Sequence, residues 1–98
     1  MTFEVIFTEI AEQHIAEACE YYDSLPYQNI TANFLDDLDT IISQIELNPF
    51  FQVWTDEFRA TPLQKFPYLV FFELIEEQNV VKIVAIFHTS QNPEKYPQ

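Results

Sequence analysis

Glycine is absent from the 98 residues and cations are scarce, with 4 Lys and Arg against 16 Asp and Glu for a formal charge of −12. Ordinary usage puts Gly at about 7%, so roughly seven are missing. A Gly-rich phosphate loop, a dinucleotide fingerprint and a flexible Gly linker are therefore all excluded. Turns fall instead to Asn, Asp, Ser and Pro. The shortage of Lys and Arg opposes nucleic-acid binding, because a phosphate backbone is held by cations that displace its counterions. Any such role would need a very local basic patch. The single Cys19 closes no intramolecular disulfide. Met1-Thr2-Phe3-Glu4 lacks the basic start and apolar run of a secretion signal. The apolar run Tyr68 to Phe72 falls far short of the roughly 20 residues that span a bilayer. A reducing, cytoplasmic location is the expectation.

What the chain does have is apolar surface. It is 48% hydrophobic with ten Phe, enough for a modest core at this length and too much for charge-driven disorder. Residues 1–98 read as one domain with no internal linker or repeat. Phe3 to Phe7 suits a strand, and Thr8 followed by Glu9 reads as a helix N-cap. From Glu9 to about Asp23, Ile10, Ala11, His14 or Ile15, Ala18 and Tyr22 recur at helical spacing, with Glu12, Glu17 and Glu20 towards water. Ser24-Leu25-Pro26 stops this helix. A second runs from about Asn29 to Leu47 on the stripe Ile30, Phe34, Leu38, Ile41 and Ile45, and Asn48-Pro49 ends it.

Strands follow the helices. Phe58 to Leu63 reads as an edge strand because of Pro62, and Phe66 to Ile75 and Val80 to Thr89 as a hairpin joined by Glu76-Glu77-Gln78-Asn79. The fold class is α+β in the order β-α-α-β-β-β, a helical hairpin on one face of a mainly antiparallel four-stranded sheet. Period-two alternation turns Tyr68, Val70, Phe72 and Leu74, and then Val81, Ile83, Ala85 and Phe87, towards the helices. Leu69, Phe71, Val84 and Ile86 then form an apolar patch on the other face, with Lys82 beside it. Such patches mark partner-binding surfaces. The alternatives are a misassigned parity or a C-terminal tail folded over this face.

Phe66-Pro67-Tyr68-Leu69-Val70-Phe71 and His88-Thr89-Ser90-Gln91-Asn92-Pro93-Glu94-Lys95-Tyr96 are similar to segments of the RelE/ParE superfamily of bacterial toxins, the plasmid-stabilisation proteins of type II toxin–antitoxin modules. The resemblance covers almost the whole chain, including Tyr21-Tyr22, Phe34-Leu35 and Asn48-Pro49, and is nearer the ParE-like branch through the His-Thr-Ser ending. Arg59, Lys65, His88, Pro93, Glu94 and Lys95 keep the family pattern. Ala60, Gln64, Phe72, Glu73 and Gln91 depart from it, and four of these five changes remove a cation.

The resemblance implies a toxin that acts by binding protein, with DNA gyrase as a candidate target, and is neutralised by a cognate antitoxin that covers Leu69, Phe71, Val84, Ile86, Lys82 and Lys95. It implies no cofactor and no metal, and a homodimer or a toxin–antitoxin heterotetramer as candidate assemblies. One alternative is a RelE-like, metal-independent endoribonuclease acting on the ribosome, with Arg59 and Lys65 as phosphate clamps, His88 as acid or base, and Tyr68 or Tyr96 as stacking platform or proton donor. The other is an inactive, toxin-derived binding module.

Plainer roles compete for the same residues. His88 is placed to hydrogen-bond the Thr89-Ser90 turn, and Arg59 to pair with a nearby carboxylate. His14 reads as structural and Cys19 as a small packing residue. Asp36-Asp37-Leu38-Asp39 reads as a solvated helix face, since its spacing is not that of a calcium loop.

Overall fold

The structure, a computed structural model, describes residues 2–51, 53 and 57–90. In chain order it comprises β1 (Glu4–Phe7), α1 (Glu9–Asp23), α2 (Ile30–Leu47), β2 (Arg59–Pro62), β3 (Tyr68–Ile75), a 3-10 turn (Glu76–Gln78) and β4 (Val80–His88). The strands form one sheet in the order β1-β4-β3-β2. β1 lies parallel to β4, and the other pairs are antiparallel.

Local chemistry sets the ends of these elements. Thr8 Oγ1 accepts from the Ala11 N–H at 3.1 Å, which satisfies one orphan donor of α1. Glu9 and Glu12 place negative charge at the positive end of the helix dipole. After Ser24 the chain turns, and Asn29 enters α2 at φ 66°, a left-handed conformation that Asn tolerates. The Thr31 hydroxyl donates to Asp23 Oδ1 at 2.5 Å across the hairpin and ties the start of α2 to the end of α1. Asn79, at φ 54°, makes the second left-handed turn that a glycine would usually supply.

The core lies between the hairpin and one face of the sheet. Phe34, Leu38, Ile41 and Ile45 from α2 and Ala11, Ala18 and Tyr22 from α1 pack on Val70, Phe72, Val81, Ile83 and Ile86. At one end Tyr22, Phe34, Phe66 and Tyr68 form an aromatic cluster, with centroid separations of 5.1 Å for Phe34–Tyr68 and 5.4 Å for Tyr22–Phe66. Phe34 is fully buried at its centre. Phe34→Ala is expected to cost about 3–5 kcal/mol, measured by urea unfolding, through lost transfer energy and the cavity left behind.

The alternation expected for β4 holds only for its first half. Phe71 pairs with Ala85, but its neighbour Phe72 pairs with Ile83, so Val84 is an extra residue in β4. A bulge of this kind leaves one residue unmatched and turns every later side chain to the opposite face. Ile86, expected on the open face, therefore lies in the main core at 3% exposure. Ala85 and Phe87, expected under the helices, instead pack with Phe71, Leu69, Val84 and Ala60 on the opposite face.

The helix α2 also departs from expectation at Asp37. Rather than facing solvent, this carboxylate is buried and accepts backbone N–H bonds from Gln64, Lys65 and Phe66 at 3.3, 2.8 and 2.9 Å. It fixes the loop between β2 and β3, including the backbone that carries Lys65, onto the helical layer.

Candidate functional site

Because β1 has only four residues, it covers β4 as far as Ile83 and leaves the rest of that edge, among the described residues, without a strand neighbour on its side. Side chains from α1 take over there. The Thr8 hydroxyl donates to the Val84 carbonyl at 3.1 Å, and His14 Nδ1 accepts from the Ile86 N–H at 3.1 Å. A buried amide without a partner is costly, so His14 completes the sheet from outside it. Its ring also lies 4.9 Å from that of Phe87.

Between α1 and the end of β4 this arrangement opens a cleft of about 410 Å³, lined by His14, Glu17, Ala18, Tyr21, Tyr68, Ile86, His88 and Ser90. Positions 14, 17, 18 and 21 share one helix stripe, and the small Ala18 leaves room beneath it. The His88 and Tyr68 rings stand opposite one another in the sheet register, 5.1 Å apart. His88 Nδ1 accepts from the Ser90 N–H at 3.1 Å, a bond that closes the turn after β4. Ser90 Oγ lies 2.7 Å from the same nitrogen. Burial, reinforced by the Tyr22 hydroxyl, pushes the Tyr68 phenol well above its usual range, so it remains a neutral donor.

His14 titrates below its ordinary value of 6.5 because burial outweighs the nearby Glu17 carboxylate. Its acceptor role also requires the neutral ring, since protonation would place a second N–H at Nδ1. With a depressed folded value, the unfolded chain binds more protons as pH falls below 6.5. The stabilisation from His14 is therefore complete above that pH and is lost as pH falls towards the folded value. Thermal melts should accordingly show the Tm gap between the wild type and His14→Gln narrowing as pH is lowered from about 7.5 to about 5.5. A constant gap would contradict the assignment.

Of the residues singled out from the sequence, Tyr68 and His88 meet in this cleft and Arg59 lies apart from them. Arg59 stands opposite Phe72 at the far edge of the sheet, donates to the Phe51 carbonyl at 2.8 Å and lies 5.6 Å from the Phe50 ring centroid. It anchors the chain after α2 rather than pairing with a carboxylate. From strand spacing and register, Arg59 and His88 are about 16 Å apart. Lys65 is exposed on the loop that Asp37 holds. Lys95 and Tyr96 lie outside the described residues. Cys19 packs at the margin of the core, where burial first and Asp23 second raise its thiol above the usual range.

Leu69, Phe71 and Val84 do share the sheet face away from the helices, and Lys82 and Glu73 form a 3.8 Å ion pair on that face. Ile86 does not join them, for the reason the bulge gives. A second hollow of about 460 Å³ lies there, bordered by Ile10, Phe58, Lys82, Val84, Ala85 and Phe87 among others. Among the described residues, no group of three or more His, Cys, Asp and Glu could hold a metal ion. No helix among them is long and apolar enough to cross a membrane.

Two roles absent from the sequence reading are the capping of the Ile86 amide by His14 and of the 64–66 loop by Asp37. Both had a signal. His14 falls between Ala11 and Ala18 on the buried stripe of α1, and Asp37 between Phe34 and Ile41 on that of α2. A polar residue at such a position must find a buried partner.

The chain thus sets a helical hairpin on one face of a four-stranded mixed sheet, with the parallel strand β1 at its edge. Residues 5–93 match the family described as the ParE toxin of the type II toxin-antitoxin system parDE, and the chain belongs to that family. Among solved structures, the chromosomal ParDE system from P. aeruginosa is similar with a TM-score of 0.75 and 13% identity, covering 90% of this chain and 97% of that one. The RelBE2 toxin–antitoxin complex from Mycobacterium tuberculosis gives 0.62 and 15%, covering 90% and 99%. The isolated E. coli RelE toxin gives 0.55 and 12%, covering 92% and 87%. Among curated protein sequences there is no significant match.

Proposed function

We propose that this ParE-family protein is a toxin that acts by binding another protein, with DNA gyrase as a candidate target, and that a cognate antitoxin neutralises it. The observation that carries this reading is the disposition of the cations. Phosphoryl chemistry without a metal needs positive charge gathered at the reacting phosphate together with an acid and a base. Of the three described cations, Arg59 is committed to a backbone carbonyl and an aromatic ring, Lys82 is paired with Glu73 on the opposite face, and Lys65 alone is exposed on the loop between β2 and β3. His88 stands far from Arg59 and Lys82. A net charge of −12 further opposes approach to ribosomal RNA.

The ParDE and RelBE systems among the similar structures are toxin–antitoxin pairs, which supports an antitoxin partner here. Its contacting segment would be apolar where it meets the face of Leu69 and Val84, and would carry Lys and Arg at its rim, since charge complementarity selects partners. One set of assays tests the reading. Induced expression should arrest bacterial growth, co-expression of the neighbouring small gene should relieve the arrest, and the purified protein should inhibit gyrase supercoiling while leaving ribosome-bound mRNA intact. Cleavage of that mRNA by the wild type but not by His88→Ala would establish the endoribonuclease alternative. No growth arrest would leave the inactive binding module.

A further inference from the structure

The cleft beside His14 continues along α1 into a second hollow of about 440 Å³, lined by Glu17, Glu20, Tyr21 and Ser24. Glu17 and Tyr21 border both, so the two form one groove. Among the described residues, no Lys or Arg lines either part. The last turn of α1 also carries no basic residue, so no side-chain cation stands at the negative end of its dipole beside Glu20 and Ser24. Tyr21 is 59% exposed, an unusual display for so large a ring, and its edge is braced against Tyr22 at a 5.2 Å centroid separation. Among the described residues the groove thus combines an aromatic wall with carboxylates of the same helix.

We infer that this groove is the docking site for an arginine side chain of a basic protein partner, with the guanidinium stacked on Tyr21 and paired to Glu17. The partner is read as the antitoxin or target proposed above, so the inference rests on the protein-binding reading and adds the chemistry of the contact. Arginine fits better than lysine on two counts. Its planar guanidinium stacks on an aromatic face, and its fork of donors meets a carboxylate with two parallel bonds. The Tyr21 ring supplies the negative π-face that attracts such a cation. A second copy of this chain is disfavoured as the occupant, because two molecules of charge −12 repel. The competing occupant is an anion. His14 accepts at Nδ1 and so carries its proton at Nε2, which is a donor, but Glu17 in the same wall opposes any phosphate.

The test uses the full-length protein, labelled with ¹⁵N, and three probes: N-acetylarginine methylamide, N-acetyllysine methylamide and inorganic phosphate. The arginine probe should shift the amides of Glu17, Tyr21 and Ile86 saturably, and should bind about three- to five-fold more tightly than the lysine probe. Both Glu17→Gln and Tyr21→Ala should weaken it by a similar factor, while Asp36→Asn on the exposed face of α2 should not. Equal binding of arginine and lysine, shifts spread over all acidic surfaces, indifference to Glu17→Gln, or saturable phosphate binding in the cleft would each overturn the proposal. None of these results bears on whether the antitoxin co-purifies, so the two readings fail separately.

Discussion

Replacing Asp37 by Ala is expected to lower the unfolding free energy by about 3–5 kcal/mol, which for a domain of this size is a fall in Tm of at least about 12 °C. Asp37 is 4% exposed, and its two carboxylate oxygens are shared among three consecutive backbone amides of the 64–66 loop. Truncation leaves three part-buried donors without the acceptor they share. Asp37→Asn retains one acceptor but aims an NH₂ group at the remaining amides, so its loss should approach that of Ala. Asp36→Ala and Asp39→Ala, whose side chains are exposed on the same helix, should stay within about 0.5 kcal/mol. Chemical denaturation of the four proteins checks the ranking, and equal small effects for all four would place Asp37 in solvent after all. Loss at Asp37 should also loosen the Lys65 backbone, visible as faster hydrogen exchange at residues 64–66 ahead of global unfolding.

The elements themselves were legible because their signals are local. Thr8, Ser24, Asn48 and Asn79 mark boundaries through their own side chains or backbone, and the 3.6-residue spacing of Phe34, Leu38, Ile41 and Ile45 needs no tertiary information. The short link between the helices and the Pro at the end of β2 fixed the layer arrangement and the edge position. What escaped was everything set by a partner distant in sequence. Asp37 and the 64–66 loop are separated by 27 to 29 positions, and His14 and Ile86 by 72. Neither pairing leaves a mark within a window of a dozen residues. The departure of Arg59 has the same origin: its carbonyl partner at Phe51 becomes a neighbour only when the loop after α2 returns beside β2. Candidate catalytic residues could be named individually, but whether Arg59 and His88 lie together depends on sheet order and register.

Deleting Val84 should leave the domain folded at a cost of about 1–3 kcal/mol, and Val84→Ala should cost about 1 kcal/mol. In Val80–His88 the alternation of apolar residues is uninterrupted, so the sequence reads as a regular strand with Ala85 and Phe87 inward. The observed register instead inserts Val84 between the partners of Phe71 and Phe72, which brings Ile86 inward under His14 and sends Phe87 outward to Phe71. Removing the extra residue makes Ile83, Ala85, Ile86 and Phe87 consecutive, and regular alternation then keeps Ile83 and Ile86 inward and Ala85 and Phe87 outward, on the faces they already occupy. The deletion takes away the half-buried Val84 side chain and the carbonyl that accepts from the Thr8 hydroxyl, a loss of about 1–3 kcal/mol. Val84→Ala keeps that carbonyl and removes only an isopropyl group from the outer cluster. Circular dichroism melts of the two proteins check the register. If the deletion fails to fold, Ile86 does not keep its inward place without the extra residue, and the pairing of Phe71 with Ala85 beside Phe72 with Ile83 is not the register of β4.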